Sequence, residues 1–169
     1  HSGRDSAAFF IAIIVTHRRF PTIRPATLDD LPAIIALLAD DTIGQNREDP
    51  SDPPNPAYTS AYQAIAENPN DPNAEIEDAT AVVGCLQLTF LPGLSRRGMW
   101  RAQIEGVRVA SSARGRGFGH LLLQWAIEQA RHRGCSLVQL TADKRRSDAH
   151  RFYADLGFEA SHEGMKLSL

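Results

Sequence analysis

A short glycine-rich segment in the second half of the chain has the composition of an anion-binding turn. Residues 111–120 read SSARGRGFGH and lie between a predicted strand and a predicted helix. Glycines let the chain curl so that several amide N–H groups point into one concavity, and the start of a helix adds a partial positive charge. Arg114 and Arg116 add full charges and planar guanidinium donors. The segment is therefore suited to binding a pyrophosphate group.

Two common phosphate-binding motifs do not match this turn. A P-loop requires Gly-Lys-Ser/Thr at the start of the helix, where this chain has Gly119-His120-Leu121. A dinucleotide fingerprint requires glycine at the position of His120. A glycine turn can also do no more than connect a strand to a helix, and the glycines alone leave that alternative open.

The elements around the turn predict an α+β fold with a mixed, mostly antiparallel central sheet flanked by about four helices. Strands are predicted at 22–25, 81–91, 99–109, 137–142 and 158–169, and helices at 27–40, 57–67, 120–133 and from 147 to a stop at Gly157. Gly106 interrupts the third of these strands. A glycine inside a strand commonly marks a β-bulge or a close approach of other backbone.

Length and composition indicate one globular domain. The chain has 169 residues, of which 43% are hydrophobic and 7% aromatic, and this excludes collagen-like and wholly disordered proteins. A net charge of −2 also argues against a general nucleic-acid coat. Cys85 and Cys135 are too few for a disulfide framework and have no zinc-ligand spacing, so we expect reduced core thiols and no metal site.

The charges are distributed unevenly along the chain. Residues 96–151 contain twelve basic and four acidic side chains, a local balance of +8, which leaves −10 for the remainder. The acidic excess lies mainly in the predicted loops between Asp40 and Asp78. These loops favour a cationic acceptor substrate, although loop acids also often serve only solubility.

The first twenty residues differ from the rest of the chain. The apolar run at 7–15 is far shorter than the ~20 residues of a membrane span, and no cleavage motif typical of a signal peptide follows it. We therefore expect a cytoplasmic protein without a membrane anchor. Residues 1–20 are predicted to be an N-terminal extension of a domain at 21–169: an extra strand or helix, a homodimer contact, or a vector-derived remnant.

Two motifs carry a family resemblance. Arg114-x-x-Gly117-x-Gly119 resembles the Q/R-x-x-G-x-G/A signature of the GNAT N-acetyltransferase superfamily, and it follows a strand of sequence EGVRV at 105–109. Downstream, AHRFYADLGF at 149–158 is similar to the A-x-x-F-Y-x-x-x-G-F segment of that family. The likeness covers about residues 22–169, and the order and spacing of the two motifs make it specific.

The resemblance implies a single GNAT-like domain that transfers an acetyl group from acetyl-CoA to a primary amine by direct attack on the thioester. Splayed strands would form the acetyl-CoA cleft, opened by a bulge at Gly106. The implied pyrophosphate-binding residues are Arg114, Gly115, Arg116, Gly117, Phe118, Gly119 and His120. The backbone of Val107, Arg108 and Val109 would pair with the pantetheine arm like an added strand, and the Val107 N–H would polarise the thioester carbonyl.

Two side chains are candidates for proton transfer. Glu105, beside the expected bulge, is the candidate general base for the amine; the alternative is an exposed strand carboxylate paired with Arg101 or Gln103. Tyr153 matches the family tyrosine that faces the thioester sulfur and would protonate the departing thiolate. The alternative for Tyr153 is a tyrosine that only packs its ring.

One position departs from the family pattern. Many members have an asparagine three residues before the alanine of the second motif, whereas this chain has Arg146. The asparagine that makes the usual polar contact to pantetheine is therefore missing here. We expect Arg146, with Lys144 and Arg145, to contact the nucleotide phosphates instead.

Two other classes of function compete with acetyl transfer. A catalytically idle acyl-CoA-binding module would keep the glycine turn without transferring an acetyl group to any amine. A nucleic-acid binder would require exposed aromatic side chains among the basic residues, but Trp100, Phe118 and Trp125 lie in apolar patterns. The sequence therefore favours an enzyme that has no nucleic-acid partner.

Overall fold

The computed structural model describes residues 9–16, 21–67 and 81–169. The strands are β1 (Phe9–Thr16), β2 (Pro21–Pro25), β3 (Val82–Pro92), β4 (Trp100–Val109) and β5 (Leu137–Leu140). The helices are α1 (Leu31–Ala39), α2 (Pro56–Ala66), the single turn α3 (Ser95–Gly98), α4 (Phe118–His132) and α5 (Ser147–Asp155). The fold is α+β, which confirms the predicted class. Most predicted bounds agree within two residues.

The strands form one sheet in the order β2-β1-β3-β4-β5. The pairs β1–β2, β1–β3 and β3–β4 are antiparallel, as predicted for the centre of the chain. The N-terminal strand β1 lies between β2 and β3 and pairs with both. Residues 9–16, expected as part of an extension, thus form an interior strand of the sheet. The predicted homodimer contact through this segment stays a prediction.

Alternation along the strands places apolar side chains on both faces of the sheet. On one face, Cys85 of β3 and Ile13 of β1 form a buried cluster with Ile34 and Leu37 of α1. The opposite face of β3 carries Leu86, Leu88 and Phe90, which are all buried. Helix α4, which has its own buried apolar side chains, packs on β1, β3 and β4. The strand β4 is therefore held between two layers, and its C-terminal end leads into the glycine turn.

The chain divides into two compact units, His1–Gln139 and Leu140–Leu169. The second unit contains α5 and the residues after it. The predicted final strand at 158–169 is wrong, because the structure assigns no strand there. Met165, Leu167 and Leu169 alternate as in a strand but are exposed, and an alternating pattern forms a strand only where a neighbouring strand supplies hydrogen bonds. In the part of the chain that is described, no helix is both long and apolar enough to span a membrane.

The interior position of β1 yields a stability prediction. The side chain of Ile13 is completely buried, so Ile13→Ala removes packed methyl groups and leaves a cavity. We expect this variant to lower the free energy of unfolding by about 3 kcal/mol, measured by urea denaturation. Leu94→Ala is the control, because Leu94 is fully exposed and its loss is expected to change little. Equal stability of the two variants would show that β1 is not part of the core.

Candidate active site

The glycine turn between β4 and α4 leaves a concave backbone surface. A short 3-10 turn, Ser111–Ala113, precedes Arg114, and α4 begins at Phe118. Gly115 and Gly117 have φ values of 75° and 81°, which glycine adopts without steric cost. A Cβ atom added at either glycine would meet no heavy atom within 4 Å, so the turn faces open space.

The start of α4 has the features of an anion site. Gly117 is the N-cap residue and supplies no side-chain capping bond to the first-turn amides. The first amides of a helix lack intrahelical partners, and the helix dipole places partial positive charge there. The predicted residues from Gly115 to His120 lie in this turn and in the first turn of α4. Phe118 is buried and anchors the turn in the core, while His120 is exposed.

The two arginines of the turn differ in what they contact. Arg114 donates from Nε to the carbonyl of Val109 (3.4 Å) and from Nη2 to the carbonyl of Asp40 (3.2 Å). Arg116 is exposed and stacks over the Phe118 ring, 4.9 Å from the ring centroid. Arg114 therefore braces the backbone with two of its donors, whereas the sequence had suggested phosphate contacts for both guanidinium groups.

The predicted bulge in β4 is confirmed. The register pairs Gln87 with Glu105 and Cys85 with Arg108, so Gly106 and Val107 together stand opposite one residue of β3. Gly106 has a φ of 61°, as bulges of this kind require. The bulge lies directly before the glycine turn, on the strand that leads into it.

A buried thiol lies beneath the bulge. Cys85 Sγ donates to the carbonyl of Gly106 at 3.7 Å, and the thiol is almost fully buried. Burial raises the pKa of Cys85 to about 12, so the group remains a protonated donor. The prediction of a core thiol is confirmed for Cys85, while Cys135 is half-buried.

Glu105 is exposed and lies on the face of β4 opposite to the buried Ala102 and Ile104. Its cross-strand neighbour is Gln87, and Gln103 lies two residues earlier on the same face. Gln103 accepts a hydrogen bond from Gln139 of β5 at 2.7 Å. Among the described ion pairs none involves Glu105, so the pairing with Arg101 considered above is not seen there. The carboxylate thus stands beside the bulge within a row of polar side chains.

Two residues that the sequence analysis missed contact the end of β4 and the turn. Asp40 accepts a hydrogen bond from the backbone N–H of Ser111 (2.7 Å), and Asp41 accepts one from Arg108 Nη2 (3.2 Å). Arg108 also donates from Nη1 to the carbonyl of Val107 (2.8 Å). The signal available in the sequence was a pair of acids at the C-terminal end of a helix, where the dipole disfavours negative charge.

Tyr153 lies in the second unit, within α5. Its ring contacts that of Phe152, with a centroid distance of 5.3 Å, and that of Phe158 at 5.9 Å in an edge-on arrangement. The aromatic motif of the sequence therefore forms a ring cluster that fixes the position of Tyr153 on its helix.

The basic residues before α5 are partly engaged with acids of the same unit. Arg145 binds Asp143 through Nε and Nη2 at 3.0 and 2.7 Å, and this bonding lowers the pKa of Asp143 below its ordinary range. Lys144 pairs with Glu163 at 3.2 Å on the surface. Arg146 is the residue that precedes α5. Within the described residues, no group of three or more His, Cys, Asp or Glu side chains could hold a metal ion.

Fold and motifs together define an acetyltransferase. The profile of the Acetyltransferase (GNAT) family matches residues 32–158, which include the β4 bulge, the glycine turn and α5. The chain belongs to this family. Enzymes of the family use acetyl-CoA as the acetyl donor, in keeping with the resemblance noted in the sequence.

Individual relatives agree with this assignment. The chain is 32% identical over 143 residues to the aminoalkylphosphonate N-acetyltransferase of Salmonella typhimurium strain LT2, covering 83% of this chain and 86% of that protein. A Bacillus halodurans C-125 structure described as a transcriptional regulator is 48% identical, with a TM-score of 0.80 over 88% of this chain and 99% of that chain. Glucosamine-6-phosphate N-acetyltransferase from Arabidopsis thaliana shares the fold at 17% identity, with a TM-score of 0.63 over 96% of this chain and 97% of that chain.

The bulge glycine yields a prediction for cofactor binding. Gly106→Ala has room for its methyl group, since the nearest atom is Leu38 Cδ2 at 3.9 Å, but a φ of 61° costs a non-glycine residue about 1–2 kcal/mol. We expect β4 to relax toward regular pairing and the KM for acetyl-CoA to rise about tenfold in steady-state assays.

The control for this prediction is Gly134→Ala, at a φ of 79° near the end of α4. It carries a similar backbone strain away from the bulge, so we expect a comparable loss of thermal stability with an unchanged KM. A KM that rises equally in both variants would contradict a local role of the bulge.

Proposed function

We propose that the chain catalyses acetyl transfer from acetyl-CoA to the nitrogen of a primary amine by direct attack on the thioester. The observation that carries this proposal is the bulge at Gly106 and Val107, followed on the same chain segment by the open glycine turn at the start of α4. An acetyl-CoA molecule needs both features, a strand edge for its extended arm and an anion site for its pyrophosphate.

The residues present fit the cofactor. The amides from Gly115 to His120 would hold the pyrophosphate, supported by open space above Gly115 and Gly117. The backbone of Val107, Arg108 and Val109 would bind the pantetheine arm as an added strand. When bound, acetyl-CoA supplies an activated acetyl group as a thioester.

The bulge would also place a hydrogen-bond donor at the reacting carbonyl. A bulged residue leaves the regular ladder, so its N–H can be used for a ligand. The N–H of Val107 would donate to the carbonyl oxygen as negative charge develops there. Such backbone donors are fixed before the reaction and stabilise the transition state more than the ground state.

Glu105 would take a proton from the incoming amine, directly or through one water molecule. An amine with a pKa of about 10.4 is neutral in only on the order of one molecule in two thousand at pH 7, so a base is needed. The exposed position of Glu105 beside the bulge supports this role. After the carbon–sulfur bond breaks, Tyr153 would give its hydroxyl proton to the CoA thiolate.

For the acceptor, we infer a small primary amine that also carries an anionic group. In the described loop after α1, Asp41 forms an ion pair with Arg108. Glu48 accepts a hydrogen bond from the Tyr58 hydroxyl, and Asp49 accepts one from the Ser51 N–H. Arg108 therefore offsets the charge of Asp41, and the loop acids between 68 and 80 lie outside the described residues.

Two further observations support an anionic group on the acceptor. The relative from Salmonella typhimurium acts, by its name, on aminoalkylphosphonates. In this chain Arg101 lies on the same face of β4 as Gln103 and Glu105, and its Nε is buried without a hydrogen-bond partner among the described residues. A phosphonate or carboxylate oxygen accepts the hydrogen bonds that a guanidinium group donates.

A panel of amines tests the proposal, with release of the CoA thiol as the readout. We expect 2-aminoethylphosphonate to be acetylated with a higher kcat/KM than a polyamine or a lysine peptide. If the cationic amines win, the acceptor inference is wrong and the earlier expectation of a cationic acceptor stands. If no amine is acetylated although CoA binds, the idle acyl-CoA-binding module replaces the enzyme.

Arg146 is proposed to contact the nucleotide phosphates. We expect Arg146→Ala to weaken CoA binding about tenfold while leaving dephospho-CoA binding nearly unchanged, measured by calorimetric titration. Arg131→Ala is the matched control, because Arg131 is an exposed arginine of α4 that pairs with Glu128 and has no proposed role in binding. An equal loss for both ligands would contradict a contact specific to the 3′-phosphate.

A further inference from the structure

Asp40 joins the end of helix α1 to the glycine turn through two separate atoms. Its carboxylate Oδ2 accepts a hydrogen bond from the backbone N–H of Ser111 at 2.7 Å, and its own carbonyl accepts one from Arg114 Nη2 at 3.2 Å. Ser111 is the first residue of the 3-10 turn that begins the connection from β4 to α4, and Arg114 directly follows that turn. One residue therefore holds both ends of that turn.

Arg114 extends this arrangement to β4. Its Nε donates to the carbonyl of Val109, the last residue of the strand, at 3.4 Å. The next residue after Asp40, Asp41, accepts a hydrogen bond from Arg108 on the same strand at 3.2 Å. The end of α1 thus contacts the cofactor strand and the turn through two consecutive acidic residues.

An acid at the C-terminal end of a helix normally costs free energy, because the last carbonyls carry partial negative charge. At Asp40 this cost is offset by the Ser111 N–H and by the Arg114 guanidinium, which neutralises the helix end. The hydrogen bonds from the backbone and the side chain of Ser111 also lower the pKa of the Asp40 carboxyl. The carboxylate is therefore ionised, and the contact intact, throughout the neutral range.

We propose that Asp40 is a positioning residue for the acetyl-CoA pyrophosphate turn. It fixes Ser111 and Arg114 so that the amides from Gly115 to His120 are arranged before the ligand binds. Without this contact, part of the binding free energy would be spent on ordering the turn. The inference rests on the proposed function, since it assigns Asp40 a role in the binding of the proposed donor.

The test compares two acids of the same helical segment. We expect Asp40→Ala to raise the dissociation constant of CoA and the KM for acetyl-CoA about tenfold, with kcat within twofold of wild type. Asp40→Asn, which retains a side-chain oxygen acceptor, is expected to recover part of this loss. The control is Asp29→Ala, which removes an exposed acid at the other end of the segment and is expected to change neither constant.

A second variant removes the donor in place of the acceptor. Ser111→Pro deletes both Ser111 donors to Asp40, the backbone N–H and the side-chain hydroxyl. The substitution is at the first position of a 3-10 turn that follows an extended residue, where proline is tolerated. If Asp40 acts through its hydrogen bonds to Ser111, either single variant already removes them. The dissociation constant of CoA for the double variant Asp40→Ala/Ser111→Pro should then be no higher than that of the single variant with the higher constant. Additive losses would overturn the proposal.

The remaining outcomes are also decisive. If the wild-type protein binds CoA and Asp40→Ala binds it equally well, the positioning role is wrong while the proposed function stands. A fall in kcat without a change in KM would overturn it as well. If Asp40→Ala is unfolded in a thermal scan, the Asp40→Asn and Ser111→Pro variants answer the question. Failure of the wild-type protein itself to bind CoA would instead refute the proposed function.

Discussion

Replacement of Tyr153 by phenylalanine is expected to lower kcat about 100-fold while changing the dissociation constant of CoA by less than twofold. The substitution removes only the hydroxyl group that is proposed to protonate the departing thiolate, and general acids contribute on the order of 10²–10⁴ in rate. The phenylalanine ring keeps the contacts to Phe152 and Phe158. Steady-state kinetics with the best amine of the panel, together with CoA titration, measure both quantities.

The control is a second tyrosine-to-phenylalanine variant, at a tyrosine that has no proposed catalytic role. Tyr58→Phe removes a hydroxyl on α2 that accepts a hydrogen bond from the Asp49 N–H and donates one to Glu48. Both of these partners lie in the loop before α2. We expect it to leave kcat within a few-fold of wild type. Unchanged turnover in Tyr153→Phe would rule out proton donation by this residue and leave ring packing as its function.

Replacement of Glu105 by glutamine is expected to lower kcat/KM for the amine at pH 7 by about 100-fold or more. Glutamine keeps the size and polarity of the side chain but cannot accept the amine proton. Only the neutral fraction of the amine then reacts, on the order of one molecule in two thousand at pH 7. The measurement is kcat/KM for the amine between pH 7 and pH 10.

The shape of this pH profile separates a base from a structural residue. In Glu105→Gln, log(kcat/KM) should rise by about one per pH unit up to the pKa of the amine, so the deficit relative to wild type shrinks at high pH. Glu128→Gln removes an exposed acid on α4 that pairs with Arg131, and it should match wild type at every pH. A Glu105→Gln deficit that is equal at pH 7 and pH 10 would contradict the role of general base.

The parts of the site that the sequence predicted well are local ones. The glycine turn is specified by residues 111–120 themselves, since Gly115 and Gly117 take positive φ and the helix follows directly. The bulge at Gly106 follows from a glycine inside an alternating strand. Both features depend on backbone freedom within a few residues, and such freedom is visible in a sequence.

Other predictions depended on partners distant in the chain. The alternating residues from Met165 to Leu169 predicted a strand, yet they are exposed and are assigned none. The apolar run near the N-terminus was expected to be an extra strand or helix, a homodimer contact or a vector-derived remnant, and residues 9–16 form a strand that lies between β2 and β3. The alternation of apolar and polar residues predicts which face of a strand is apolar, but it does not predict whether a neighbouring strand is present.

By itself, the sequence determined the α+β class, the glycine turn, the bulge and the membership of the GNAT family, because each of these is carried by residues close together in the chain. The tertiary structure decided that Arg114 braces the backbone, that Asp41 pairs with Arg108, and that Asp40 meets Ser111 across 71 positions of sequence. Contacts over such separations form only when strands and helices pack, and residue spacing does not encode which distant partner a charged side chain will find.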